Sequence, residues 1–127
     1  MSVLVDSSIW IDYFRDGSYS DKLEFLIDEN LIVTNELILC ELIPFLKLRK
    51  KNKLVSLLTA ITTTHIDIRW NQIITYQYNC LKKGINGVGI PDLIIAQNAK
   101  QSGCSIYSLD SHFTMLKNII GFELYSP

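Results

Sequence analysis

The stretch Val3-Leu4-Val5-Asp6-Ser7-Ser8-Ile9-Trp10 decides the fold of this chain. Three consecutive apolar residues that end at a turn signal predict a short strand buried on both faces. Ser7 or Ser8 is expected to cap the helix that follows, which leaves Asp6 at the carboxyl end of a central strand. Ligands bind at that end of the strands in open α/β sheets, although a lone aspartate can also simply start a turn.

Strand and helix patterns alternate along the rest of the chain. The predicted strands are residues 3–5, 31–33, 64–68, 105–109 and 122–125. The predicted helices begin near residues 9, 20, 36, 54, 70, 92 and 113, with a kink or a new helix at Pro44. This alternation predicts an α/β fold with a mainly parallel central sheet and helices on both faces.

Length and composition predict one compact domain over residues 1–127. Hydrophobic residues make up 48% of the 127 residues, which is enough to bury a sizeable core. No apolar run approaches the length of a membrane span, and no signal peptide is recognisable. The three cysteines form no C-x-x-C motif, so they predict neither a zinc site nor a disulfide framework. We therefore expect a cytoplasmic protein without membrane contact.

The charge balance is close to neutral, with a formal net charge of −1. This balance does not by itself indicate nucleic-acid binding, which usually shows as a strongly basic composition. Positive charge is nevertheless concentrated in one short segment, which contains Lys47, Arg49, Lys50, Lys51 and Lys53. The segment is either a solvated helix end or a rim that contacts phosphates.

Four of the thirteen acidic residues occupy positions where burial is expected: Asp6, Glu41, Asp92 and Asp110. Two of them follow predicted strands, and the other two lie on the apolar face or at the start of predicted helices. Each has an alternative interpretation when taken alone, as a solvated side chain, a turn residue or a helix-dipole charge. Together they can meet at one rim of a right-handed α/β fold.

Such a cluster of carboxylates has a specific chemical implication. Burying a carboxylate is costly unless it is paired or binds a metal, and no lysine or arginine occupies an obvious matching position. Oxygen ligands without histidine or cysteine partners suit Mg²⁺, and Mn²⁺ is also possible. A cation held in this way can orient a phosphodiester and lower the pKa of a bound water. The four acids are therefore a candidate site for metal-dependent cleavage of a phosphodiester, although their spacing alone is only moderately specific.

At this point the chain resembles a known family, the PIN-domain nucleases, and within it most resembles VapC-type toxins of toxin–antitoxin pairs. The resemblance covers nearly the whole chain in order and spacing. It is carried by four motifs, which are Leu4-Val5-Asp6-Ser7-Ser8-Ile9-Trp10-Ile11, Glu41-Leu42, Pro91-Asp92-Leu93-Ile94-Ile95-Ala96 and Ser108-Leu109-Asp110-Ser111-His112-Phe113. It implies a PIN-like α/β/α sandwich in a single domain.

The same resemblance implies a function. It makes Asp6, Glu41, Asp92 and Asp110 the catalytic, Mg²⁺-binding acids, with Ser8 in a supporting position. It implies endonucleolytic cleavage of RNA, a homodimer, and a cognate antitoxin protein that holds the toxin inactive.

Two residues depart from the family pattern. Ser108 stands where threonine is usual, and His112 stands where a further aspartate is common. The second change falls at the edge of the site where a second metal would bind, and whether it alters that edge is left open by the sequence. His112 is not counted among the expected ligands. His65 belongs to no motif and is interpreted as structural.

Two other functions remain open on the sequence alone. One is a housekeeping PIN nuclease that processes RNA without an antitoxin, although the small size favours a toxin. The other is a non-catalytic α/β binding module, which the lack of nucleotide-binding glycine motifs does not support. An aspartyl-phosphate enzyme is disfavoured because Ser8 replaces the second acid of a D-x-D start.

Overall fold

A computed structural model describes residues 2–127 of the chain and contains a three-stranded parallel sheet. The strands are β1 (Val3–Val5), β2 (Ile32–Val33) and β3 (Ser105–Tyr107), in the order β2-β1-β3. All three residues of β1 are fully buried. Because successive side chains of a strand point to opposite faces, both faces of the sheet are covered. The predicted α/β fold with a parallel sheet is confirmed.

Helices occupy most of the remaining chain in residues 2–127. They are α1 (Ser7–Phe14), α2 (Ser20–Asp28), α3 (Glu36–Leu48), α4 (Asn52–Thr59), α5 (Trp70–Lys82), α6 (Ile90–Ser102) and α7 (Ser111–Leu116), followed by a π-helical turn over Lys117–Gly121. In this part of the chain, no helix combines the length and the apolar character needed to cross a membrane.

The core forms where these helices pack on the sheet. Trp10 of α1 and Phe113 of α7 are the largest fully buried side chains. Helix α6 is the most enclosed helix, since its residues Ile95–Ala99 are all buried. As predicted, it ends at Gly103, which takes the left-handed conformation with φ of 68°. Helix α6 therefore forms a fixed support for the residues at its amino end.

The strand predicted at residues 64–68 is wrong. An isolated bridge forms only just before this segment, between Thr63 and Thr34. Side-chain amides of α6 bind its backbone instead: Asn98 donates to the carbonyl of His65 at 2.9 Å, and Gln101 donates to the carbonyl of Asp67 at 2.9 Å. The backbone groups that a strand would pair with a neighbour are thus satisfied by a helix.

The predicted strand at residues 122–125 is present only as a single bridge to β3. The amide of Ile106 donates to Glu123, and its carbonyl accepts from the amide of Tyr125, at 2.9 and 2.8 Å. Strand β3 itself stops at Tyr107, two residues earlier than predicted. The chain leaves the sheet there because the next residues turn to form the site described below.

Pro44 does not start a new helix, which was one of the two predicted outcomes, because α3 runs from Glu36 to Leu48. Proline lacks the amide that would bond to the carbonyl of Cys40. Both Pro44 and Cys40 are exposed, so water can reach that carbonyl. The opposite face, with Ile38, Leu42 and Leu46, is buried and holds the helix across the proline.

Candidate active site

Asp6 lies at the carboxyl end of β1 and is 6% exposed. It precedes α1 as the N-cap residue, whereas Ser7 and Ser8 are already helical, so the predicted serine cap is wrong. Its amide donates to the carbonyl of Tyr107 at 2.9 Å, which joins the ends of β1 and β3. The sheet thereby fixes the backbone from which this carboxylate projects.

Two serine hydroxyls orient the carboxylate of Asp6. Oδ2 accepts hydrogen bonds from Ser8 at 2.9 Å and from Ser108 at 2.8 Å. The two hydroxyls also accept backbone bonds, because the amide of Leu109 donates to Ser8 and that of Asp110 donates to Ser108, both at 2.9 Å. This network links the β1–α1 turn to the β3–α7 turn and supports the predicted role of Ser8.

Asp110 is held at the start of α7 by its own hydrogen bond. It is the N-cap residue, and its Oδ1 accepts from the amide of His112 at 2.9 Å. The imidazole of His112 turns back toward the acids. Its Nδ1 lies 3.2 Å from Asp110 Oδ1 and 3.7 Å from Asp92 Oδ2. Asp92, Asp110 and His112 thus converge, although they come from two different helices.

Asp92 is the third residue of α6, which begins at Ile90 rather than at the predicted position 92. Its Oδ2 accepts a long bond of 3.4 Å from the amide of Gly89. Burial raises the pKa of Asp92, and the negative charges of Asp110 and Asp6 raise it further. The Gly89 amide and His112 lower it in part. Asp92 therefore lies in the electrostatic field of the other acids.

Glu41 projects from the middle of α3 and is the most exposed of the predicted acids. Burial raises its pKa, and the charges of Asp6 and Asp92 raise it again. Glu41 therefore lies within the electrostatic field of Asp6 and Asp92. Of the four predicted acids, Asp92 and Asp110 form one close group, and Asp6 is joined to Asp110 through Ser108. Glu41 is related to the others through the charges of Asp6 and Asp92.

The donor set fits a divalent cation. Within residues 2–127, no lysine or arginine forms an ion pair with these four acids, and only His112 approaches two of them. One ligand atom from each of Asp92, Asp110 and His112 lies within 4.8 Å of the others. The repulsion that raises the pKa of Glu41 and Asp92 is what a bound cation would relieve.

Sequence reasoning left His112 out of this set. The motif comparison treated it as a departure from an acidic position, and the cluster was sought among carboxylates alone. The available signal was its spacing, two residues after Asp110 at a predicted helix start, where a side chain can fold back onto the cap. His65, by contrast, is exposed, and its carbonyl is bound by α6.

A groove runs away from Glu41 between α1, α3 and α4. Its walls carry three cations, Arg15, Arg49 and Lys51, beside apolar residues that include Phe45. The guanidinium of Arg49 lies 4.8 Å from the centre of the Phe45 ring. Part of the basic segment seen in the sequence therefore lies on a concave surface that reaches one of the four acids.

The chain matches a known sequence family. The sequence description of the PIN domain matches residues 3–118, which is most of the chain and includes all four acids. No curated protein matches the chain.

Solved structures with the same fold include three from bacteria. One is VapBC2 from Rickettsia felis, bound to a DNA fragment from the promoter of its own genes. It has a TM-score of 0.75 and 21% sequence identity, and the match covers 99% of this chain and 100% of that chain. DNA-bound VapBC from Salmonella typhimurium has a TM-score of 0.74 and 15% identity over 98% and 97%. VapC20 from Mycobacterium tuberculosis, a sarcin–ricin loop cleaving toxin, has a TM-score of 0.67 and 17% identity over 99% and 100%. The resemblance inferred from the motifs is confirmed, and these likenesses establish the fold.

Proposed function

This chain belongs to the PIN-domain family, and we propose that it is a Mg²⁺-dependent endoribonuclease and the toxin of a type II toxin–antitoxin pair. The observation that carries the proposal is the convergence of Asp6, Glu41, Asp92 and Asp110 without a lysine or arginine partner in residues 2–127. Uncompensated carboxylates in a partly buried place are costly, and a divalent cation removes that cost.

The chain's own residues prepare the site for hydrolysis. Ser8 and Ser108 fix the carboxylate of Asp6, and the cap of α7 fixes that of Asp110. Asp6, Glu41, Asp92 and Asp110 would hold the cation. When bound, Mg²⁺ or Mn²⁺ would neutralise the acids, orient the phosphodiester and lower the pKa of the attacking water. Prearranged ligands avoid the cost of reorganisation during the reaction.

An RNA substrate agrees with the surface beside the site. Arg15, Arg49 and Lys51 can contact phosphates, while Phe45 offers an aromatic face for a base. A single-stranded RNA lying in this groove would reach the acids at Glu41. The same surface is less suited to a small uncharged substrate, because it is open and basic.

The remaining parts of the proposal concern partners and location. Solved structures with this fold include VapBC complexes, which supports a cognate antitoxin as partner. An apolar stripe on α5, considered in the Discussion, supports a homodimer. The three cysteines, which are free in residues 2–127, agree with a reducing cytoplasm.

The test of catalysis is Asp6→Asn. This change keeps the shape of the side chain and its two serine neighbours but removes one ligand charge, so cleavage of RNA with Mg²⁺ should be abolished. Glu29→Gln is the matched control, because it removes one exposed acidic charge from the end of α2. Circular dichroism checks that both variants fold. Full cleavage by a folded Asp6→Asn protein would refute the assignment.

The toxin role is tested separately in cells. Expression of the native chain should arrest bacterial growth, and Asp6→Asn should not. Co-expression of the protein encoded next to it should restore growth. Arrest that no neighbouring gene product relieves would favour the housekeeping nuclease instead.

A further inference from the structure

We infer that His112 is a metal ligand through Nδ1 and that it makes the site prefer first-row transition-metal ions over Mg²⁺. The inference rests on the proposed function, since it concerns the metal site of the same nuclease. It deepens that function by giving the site a ligand that the acids alone do not supply.

The first support is the geometry of the imidazole. His112 Nδ1 lies 3.2 Å from Asp110 Oδ1 and 3.7 Å from Asp92 Oδ2, and the three donor atoms belong to a group whose members all lie within 4.8 Å of one another. Two ligands of one ion with bonds of about 2.0–2.2 Å lie at most about 4.4 Å apart, and both Nδ1 distances are shorter than that. Nδ1 is therefore close enough to share an ion with either carboxylate.

The second support is the condition of Nδ1 itself. The atom is shielded from solvent and has no hydrogen-bond partner in residues 2–127, since its approach to Asp110 lacks hydrogen-bond geometry. A buried polar atom without a partner costs free energy. Coordination of a cation by its lone pair would remove that cost, whereas the neighbouring carboxylates can only accept hydrogen bonds.

The third support is that the imidazole is prearranged. The amide of His112 donates to Asp110 Oδ1 at 2.9 Å, so the same turn fixes both ligands. On the far side of the ring, a β-carbon built on Gly87 would lie 3.5 Å from Nε2. The glycine loop therefore packs close to the ring without blocking it, and Nδ1 remains directed at the acids.

The chemistry of nitrogen donors determines the expected selectivity. Mg²⁺ prefers oxygen ligands, whereas imidazole suits ions later in the first transition row. Affinity for a given set of nitrogen and oxygen ligands rises from Mn²⁺ through Co²⁺ to Ni²⁺. Replacing a family aspartate by histidine should therefore favour Mn²⁺ and Co²⁺ at the expense of Mg²⁺.

A different role for His112 makes a different prediction. As a protonated counter-ion it would merely offset the charges of Asp92 and Asp110. Removing it would then change the affinity for every divalent cation in the same direction and by a similar factor. The ratio of Co²⁺ affinity to Mg²⁺ affinity separates the two roles.

Calorimetric titration of the metal-free protein measures that ratio. In His112→Ala, which removes the imidazole without adding a carboxylate, the ratio of Co²⁺ to Mg²⁺ affinity should fall by about tenfold or more. His65→Ala is the matched control, because the chain has only two histidines and His65 is exposed outside the site. Its ratio should equal that of the native protein.

Pulsed electron paramagnetic resonance of bound Mn²⁺ tests the ligand directly and needs no substitution. With ¹⁵N-labelled histidine, a directly bound nitrogen should appear in the native protein and in His65→Ala. Mn²⁺ binding without histidine nitrogen coupling, or an unchanged affinity ratio in a folded His112→Ala, would overturn this inference alone. Failure of Mg²⁺, Mn²⁺ and Co²⁺ to bind at all would overturn the proposed function as well.

Discussion

Ser108 shows how much the site depends on one hydroxyl. It donates to Asp6 and accepts from the amide of Asp110, so it spans two of the four acids. Ser108→Ala should weaken Mn²⁺ binding by about 10–100-fold, because groups that orient a ligand carry effects of this size. Calorimetric titration of Mn²⁺ provides the measurement.

Ser108→Thr is the control for that prediction. Threonine keeps the hydroxyl and is the residue usual in the family at this position, so its affinity should stay within a few-fold of the native value. Equal losses in the alanine and threonine variants would mean that packing, and not the hydrogen bond, determines metal affinity at Ser108.

The sequence predicted the four carboxylates of the site but did not predict that the imidazole of His112 lies beside them. The four carboxylates stood out because charges on apolar faces and strand ends need an explanation. A histidine beside a turn needs none, since it can be neutral and solvated. Only the fold of the β3–α7 turn shows that the imidazole of His112 points at Asp92, which lies on another helix.

Helix α5 has an apolar face directed away from the core. Trp70, Ile74, Tyr78 and Leu81 are 57%, 66%, 61% and 60% exposed. Their spacing of four, four and three residues aligns them along one side of the helix. Monomeric proteins rarely leave such a stripe open, so we expect this face to pair with a second copy of the chain.

Ile74→Glu should therefore convert the homodimer into monomer, because a charge would be buried in the pairing surface. Light scattering during gel filtration measures the mass. Ser56→Glu adds the same charge on exposed α4 and should leave the dimer intact. A native protein that is monomeric at high concentration would contradict the assignment of this face.

Two cations lie at the corner between α3 and α4. Arg49 and Lys51 both line the groove that ends at Glu41. Replacing both by alanine should weaken RNA binding and reduce its salt dependence by about 0.7 in slope for each lost phosphate contact. Lys117→Ala, outside the groove, is the control in a filter-binding titration across salt concentrations. An unchanged slope would exclude these two cations as phosphate contacts.

The elements that the sequence predicted well are those with strong local patterns. The continuous apolar run of β1 and the glycine stop after α6 both act within a few residues. Residues 64–68 alternate polar and apolar residues as a strand can, but the side-chain amides of Asn98 and Gln101, more than thirty residues away, bind their backbone carbonyls. The residue types at positions 64–68 therefore could not predict that a distant helix binds this backbone.

Repulsion among the acids should lower the free energy of unfolding of the metal-free protein at neutral pH. The pKa values of Glu41 and Asp92 are raised in the folded state, so the folded metal-free protein holds more protons than the unfolded chain. Its free energy of unfolding should therefore fall as the pH rises from about 4 through the raised pKa values. Thermal melting of metal-free protein across this pH range measures the effect.

Metal should reverse that loss at neutral pH. An ion that binds only the folded form adds about 2.7 kcal/mol at one hundred times its dissociation constant. Asp92→Asn should melt higher than the native protein without metal and gain less from Mn²⁺, since it loses one repelling charge and one ligand. If Mn²⁺ stabilises both proteins equally, Asp92 acts only as a helix-start charge.

The sheet order β2-β1-β3 also sets when the proposed site can form during synthesis of the chain. Asp6 precedes β3, Ser108 and Asp110 by about a hundred residues. At roughly 5–20 residues per second, a ribosome spends several seconds with a chain that lacks this flank of the site. A growing chain therefore cannot complete the proposed site until β3 has emerged and docked beside β1.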